Sequence, residues 1–168
     1  MKKFLLLLIW AGVIHNACAD SVAIRVTGNI VGATCMVDNG SKSASVEMGE
    51  ATSGQFQQAG ATGDWVDFEL SLSQCPSSVT QVTSTFNGTA DADAPDYFAS
   101  TGTGTGVGLE LSSGDHSKTL STGSQLTTPV NSSDGTVTLP LAARYVATKG
   151  NATGGTFIST VQVTFTYE

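Results

Sequence analysis

Charge is scarce in this sequence. Of 168 residues only seven are Lys or Arg and fourteen are Asp or Glu. That excludes the basic stripe or patch on which nucleic-acid binding rests. Histidine occurs twice, at His15 and His116, so a catalytic or metal site built on several imidazoles is excluded as well. The longest apolar run, Phe4 to Ile14, has eleven residues, well short of the ~20 that carry a helix across a bilayer. No window shows a 3.6-residue apolar stripe with caps, which argues against a helical protein. There is no internal repeat, and no linker long enough to divide two domains. What remains abundant is Gly, Ser and Thr among β-branched apolar residues, the composition of an all-β extracellular protein.

The first residues have their own logic. Lys2 and Lys3 precede the apolar run, and Ala17-Cys18-Ala19 follows it. A basic start, a short apolar segment and an A-x-A site read as a signal peptide, residues 1–19, cleaved after Ala19. Lipidation at Cys18 is disfavoured, because an aliphatic residue is wanted three places earlier and His15 stands there. The mature chain, Asp20 to Glu168, has 149 residues and suits one domain. Its five basic residues face fourteen acidic ones, a net charge of −9. Two cysteines remain, Cys35 and Cys75. In an exported chain they read as one disulfide, worth about 4 kcal/mol for a loop of this length in the chain-entropy model.

Alternation is the strongest signal present. From Gly155 to Glu168, Phe157, Val161, Val163, Phe165 and Tyr167 occupy odd positions, with Ser159 as the single polar break. Gln162, Thr164 and Thr166 occupy even ones, so the segment reads as a strand with one buried face. A core strand so close to Glu168, where chains usually fray, implies that another strand docks on it. The mature N-terminus has the same pattern: Val22, Ile24, Val26, Gly28 and Ile30 share one face. Further strands are expected over Ser45–Met48, Trp65–Leu72, Val79–Phe86, Val107–Leu111, Thr136–Leu141 and Ala142–Ala147. Turn signals separate many of these runs, among them Asn39-Gly40, Asn87-Gly88, Gly114-Asp115, Asp134-Gly135 and Gly154-Gly155. Many short strands with Gly-rich turns imply a sandwich, Ig-like with Greek-key links.

Residues that could carry chemistry are few. His116, in the turn-like SSGDHSK, reads as a solvated loop residue. Once a disulfide forms, no cysteine is left as nucleophile. Asp91, Asp93 and Asp96 lack the Gly and the distal Glu of an EF-hand, and Pro95 marks an ordinary loop. The glycine-rich Thr101 to Gly108 has no Lys and no following helix, so it is not a phosphate loop. Asn39, Asn87, Asn131 and Asn151 each open an N-x-S/T sequon, relevant only in a host that glycosylates them. No enzyme, cofactor or metal site is expected.

Taken together and in order, these features resemble a chaperone–usher pilus subunit. The shared marks are the alternating N-terminal segment with its embedded Gly28, Cys35 just beyond it, and Cys75 in LSLSQCP. They end with Gly155, the alternating apolars and the penultimate Tyr167. VEMGE (46–50) and VTSTFNGTAD (82–91) are similar to small minor subunits of type 1-like fimbriae. The resemblance implies an Ig-like domain, residues 32–168, lacking its seventh strand, preceded by a donor-strand extension, residues 20–31. It implies that Val22, Ile24, Val26, Gly28 and Ile30 insert into a neighbour. It implies that Gly155, Phe157, Val161, Val163, Phe165 and Tyr167 form the acceptor groove, and that Glu168 offers a carboxylate to a chaperone. The implied partners are a periplasmic chaperone, an outer-membrane usher and neighbouring subunits in a head-to-tail polymer; the implied location is a cell-surface fimbrium that contributes to adhesion. Two alternatives stay open: a small adhesin whose Arg144 and Lys149 contact an acidic host glycan, and a free-standing secreted Ig-like domain that folds Asp20–Val31 into its own sheet.

Overall fold

A computed structural model describes residues 25–28 and 34–168 of the chain. The chain divides into two units at Val31/Gly32. In the first, residues 25–28 have no regular secondary structure and Val26 is exposed. Val22, Ile24 and Ile30, and the proposed signal peptide, lie outside the described residues.

The second unit is a sandwich of two antiparallel sheets. Its elements are β1 (Met36–Val37), a single helical turn α1 (Asn39–Lys42), a 3-10 turn (Ser53–Phe56), β2 (Val66–Ser73) and β3 (Gln81–Gly88). They continue with β4 (Val107–Ser113), β5 (Gln125–Pro129), β6 (Val137–Ala147) and β7 (Val161–Tyr167). One sheet runs in the order β1-β2-β6-β4 and the other β5-β3-β7. The first order matches strands A-B-E-D of an Ig sandwich. In the second, β3 and β7 stand where C and F stand, and strand G of a complete fold would lie beside β7. Among the described residues no strand occupies that place.

Alternation builds each layer. In β2, Leu70 and Leu72 are buried while Asp67 and Glu69 face solvent; in β3, Val82, Ser84 and Phe86 are buried. Leu70, Phe86, Leu109, Leu111, Leu139 and Leu141 meet in the main core. Cys35 and Cys75 form a disulfide. Around it Cys35, Leu72, Val79, Val82 and Val137 make a further cluster at one end.

The two flanks of the sandwich differ. On the β4 flank, Phe98 and Leu109 exchange main-chain hydrogen bonds, the Leu120 amide donates to the Leu111 carbonyl, and both Phe98 and Leu120 are buried. That edge is closed. The outer edge of β5 is short, ends in Pro129, and its Gln125 carbonyl accepts from Lys118 Nζ at 2.7 Å, as protected edges do. The β7 edge has no such cover among the described residues.

Several expected boundaries are corrected. Ser45–Met48 is not a strand: β1 takes the outer edge of β2 only opposite Ser73 and Leu72, and the Asp38 amide ends that pairing at Ser71. The two strands expected over residues 136–147 are one, β6. Pro140 sits within it because β4 pairing stops at Ser113↔Leu141, and the Pro140 carbonyl, turned to that side, already accepts from Gly114. The missing proline N–H therefore breaks no ladder bond. The strand β5 has no counterpart among the expected strands, because only Leu126 gives it an apolar beat. The final strand starts at Val161, not at Gly155.

Candidate functional site: the open groove beside the last strand

The groove follows from the unequal flanks. β7 pairs with β3 through a register from Val82↔Tyr167 to Gly88↔Val161, and its other edge is unpaired among the described residues. Val161, Val163 and Phe165 point inward and pack on the main core, yet each is only partly buried. On a finished sandwich such positions would be covered. Here they flank a groove of about 2020 Å³ whose depths reach Phe86, Leu109, Leu111 and Leu141.

The opposite bank is the segment from Ser43 to Thr52, which lines the groove along its length. Met48 packs on the core, and the Tyr145 hydroxyl donates to the Gly49 carbonyl at 3.0 Å. Tyr145 also stands edge-on to Phe157, ring centroids 4.9 Å apart, and so joins the two banks. Burial, with the Glu47 carboxylate nearby, raises the Tyr145 pKa above its ordinary value. The approach to β7 is held by a backbone crossing. Gly104 N–H donates to Thr156 O at 3.0 Å, and a Cβ on Gly155 would collide with the main chain of Thr103 and Gly104.

The chemistry of this site is that of a docking surface. Its floor and β7 wall, from Phe86, Leu141, Phe157, Val161, Val163 and Phe165, are aliphatic and aromatic, and the facing bank brings polar residues such as Glu47 and Glu50. Among the described residues β7 offers unpaired main-chain donors and acceptors, the requirement for adding a strand to a sheet edge. Gln162, Thr164 and Thr166 on the outer face carry no charge that would repel a partner strand. Ser159 belongs to the lining, but its Oγ is enclosed by the subunit's own atoms and has no hydrogen-bond partner.

Of the residues assigned to the groove from sequence, Gly155, Phe157, Val161, Val163 and Phe165 line it, with Gly155 and Phe157 ahead of the strand. Tyr167 instead packs on the disulfide-end cluster, where burial raises its pKa. The Glu168 carbonyl accepts from the amides of Thr80 and Gln81 at 2.6 and 3.1 Å, within the subunit itself. Sequence reasoning missed the Ser43–Thr52 bank and Tyr145. Neither has a distinguishing pattern: the bank has little secondary structure, and Tyr145 is one of several aromatic or aliphatic residues in a long strand.

Outside the groove, His116 is an exposed loop residue, as expected, and it also has partners. Its ring stacks on Trp65 at 4.6 Å, and its Nε2 lies 2.8 Å from Asp67 Oδ1. Arg144 lies over the same Trp65 ring and pairs with the buried Glu110 at 2.7 Å, while Lys149 pairs with Asp93 at 2.9 Å. Both cations considered for a sugar are thus engaged. Asp91 accepts from the amides of Asp93 and Ala94, an Asx turn that accounts for the acidic loop. Among the described residues no group of three or more His, Cys, Asp or Glu is placed to hold a metal.

The family model described as "Fimbrial protein" matches residues 24–168. The chain belongs to the fimbrial protein family. It is a structural subunit that associates with other subunits in a cell-surface polymer. Among fimbrial relatives, it is 35% identical to Protein FimG of Escherichia coli strain K12, over 89% of this chain and 86% of that one. It is equally 35% identical to the S-fimbrial adhesin protein SfaS of Escherichia coli O6:K15:H31, over 90% and 88%. In fold it is similar to the P pilus rod subunit PapA, with a TM-score of 0.68 at 21% identity, over 80% of this chain and 99% of that one. Fimbrial proteins are structural and adhesive, and catalysis is not among the activities known of the family.

Proposed function

We propose that this fimbrial subunit polymerises by accepting an extended strand from another polypeptide along β7 and donating its own N-terminal segment to the next subunit. The observation that carries the reading is the contrast between the flanks: Phe98 and Leu120 seal one, and β7 overhangs an apolar groove on the other. Strand addition is how pilus chaperones and pilins are known to pair. A periplasmic chaperone occupies the groove first, after export under the signal peptide of residues 1–19. At the outer-membrane usher the neighbour's donor segment replaces it.

The donor face is Val22, Ile24, Val26 and Ile30, with Gly28 in the same row. Burying those four apolar side chains contributes very roughly 6–12 kcal/mol before ordering costs. The contact is heterologous, so it propagates into a fibre rather than closing into a ring. The fimbria contributes to adhesion as a whole. A glycan site on this subunit at Arg144 and Lys149 is disfavoured, because both cations already have carboxylate partners.

The test uses subunit lacking residues 20–31, purified with a pilus chaperone and challenged with a peptide spanning Asp20 to Ala33. Slow chaperone release with a stable subunit–peptide complex is expected. A subunit that stays monomeric without any chaperone and melts cooperatively at high temperature would sink the reading.

A further inference from the structure

The bank facing β7 is held by very little. From Ser43 to Ala51 no residue belongs to a helix or strand. Among the described residues, none of their main-chain amides or carbonyls bonds to another main chain. Their one hydrogen bond is the one that the Gly49 carbonyl accepts from Tyr145. Of the bank's side chains, Met48 is the one that packs on the main core. It is partly buried, lies between the exposed Glu47 and Gly49, and lines the groove. The bank is thus anchored chiefly by one thioether side chain that is open to the groove. The mature chain has one other methionine, Met36, which stands on β1, is 52% exposed and joins no core cluster.

We propose that Met48 is an oxidation site that controls the bank: oxygen transfer from a peroxide to its sulfur releases Ser43–Thr52 from the core and disables the groove. The consequence for partner binding rests on the strand-acceptor reading given above; the release of the bank does not.

The thioether sulfur is the nucleophile. It attacks one oxygen of hydrogen peroxide, an S–O bond forms, the O–O bond breaks, and the other oxygen leaves as water. The methionine is oxidised to its sulfoxide and the peroxide is reduced. Hydrogen peroxide is neutral, so the nearby Glu47 and Glu50 carboxylates do not repel it as they would an anionic oxidant. The product carries a strong acceptor where an apolar chain stood. Returning that oxygen to an apolar contact would withdraw it from water with no donor to meet it. The bank has no ladder of main-chain bonds to offset this cost, so it leaves the core. Met36 has no such contact to lose, and its oxidation is silent. A methionine sulfoxide reductase, which converts a pair of thiols to a disulfide and releases the oxygen as water, reverses the change.

The test treats the full-length subunit, refolded at low concentration, with hydrogen peroxide. Peptide mapping follows conversion of each methionine, mass spectrometry follows amide exchange, and anisotropy follows uptake of an excess of fluorescent peptide Asp20–Ala33. Both methionines are expected to convert, Met36 first. Exchange across Ser43–Thr52 should rise several-fold in step with Met48 and not with Met36, and the peptide should bind about tenfold more weakly. Met48→Leu, close to methionine in volume, keeps the bank packed and removes the sensitivity, whereas Met36→Leu leaves it in place. Met48→Gln, polar from the start, shows the raised exchange without peroxide. A Met48 that stays unoxidised at a dose converting all of Met36 would overturn the proposal. So would unchanged exchange across a bank whose Met48 is fully converted, or a Met48→Leu subunit as sensitive as the wild type. Failure of the untreated wild type to take up peptide would count against the strand-acceptor reading alone, because exchange still decides the oxidation site.

Discussion

The hydroxyl of Tyr145 and the carbonyl of Gly49, 96 residues apart in sequence, meet at 3.0 Å across one end of the groove. Tyr145 belongs to the rigid sheet, through β6, whereas Gly49 lies in a bank with no strand partner. The bond fixes an otherwise loosely held wall, and a pre-ordered wall lowers the ordering cost of binding a strand. Tyr145→Phe keeps the ring packing on Phe157 and loses only the bond. Amide exchange within Ser43–Thr52 is expected to rise several-fold, while global stability falls by no more than about 1 kcal/mol. Hydrogen exchange read by mass spectrometry, beside a urea titration, checks both; exchange confined to its wild-type level would show that the bank is held by Met48 instead.

The two flanks of the sandwich make a comparative prediction. Phe98 is fully enclosed, so Phe98→Ala should cost about 3–5 kcal/mol in any state of the subunit. Val163, half-buried on the groove wall, should cost well under that in the uncomplemented subunit and clearly more once a strand covers it. Urea midpoints with and without bound donor peptide give the comparison. Equal costs for Val163→Ala in both states would mean that no strand covers that wall.

Glu110 and Arg144 face each other across β4 and β6 at 2.7 Å, with Arg144 also over Trp65. The Glu110 side chain is only 8% exposed, so removing one partner leaves a largely buried charge. Arg144→Ala is expected to lose about 3 kcal/mol and to shift Trp65 fluorescence. The double variant Glu110→Ala/Arg144→Ala should lose less than the two singles together. Binding of an acidic glycan array that vanishes with Arg144→Ala at unchanged stability would show that this arginine serves a ligand after all.

Hydrogen bonds from Ser113, Ser117 and the Ser117 amide hold the Asp115 carboxylate down to a pKa of about 2, from the ordinary 3.8. The folded value lies below the unfolded one. Its contribution to stability is therefore full above pH ~4 and lost as the pH falls toward 2. Because Asp115 is fully exposed, the effect belongs to the local turn. In NMR titration Ser113→Ala together with Ser117→Ala should return Asp115 to near its ordinary value; a carboxylate that still titrates near 2 would point to another cause.

Much of this architecture was legible because it rests on period-two burial. Phe68, Leu70 and Leu72 in β2, Val82 and Phe86 in β3, and Val161 to Tyr167 in β7 alternate in sequence as they do in space. The Cys35–Cys75 bond was legible because two cysteines admit one pairing. Other parts carried no such signal. β5 has a single apolar residue besides its closing proline, and β6 includes Pro140, tolerated only because its neighbour strand ends there. Ser45 to Met48 alternates like a strand but has no strand to pair with, and lines a groove instead.

By itself the sequence determined the strand-rich composition, the apolar face of the last strand, the covalent link and the family. Each of these depends on neighbours along the chain or on residue type alone. The sequence pointed to the last strand as the one awaiting a partner; the tertiary structure decided how the other flank was closed and what forms the facing bank. Openness is a matter of what lies beside a strand: Phe98 and Leu120 close the β4 flank, while among the described residues no strand pairs with the outer edge of β7. The same packing joined Tyr145 to Gly49 and buried the Ser159 hydroxyl without a partner.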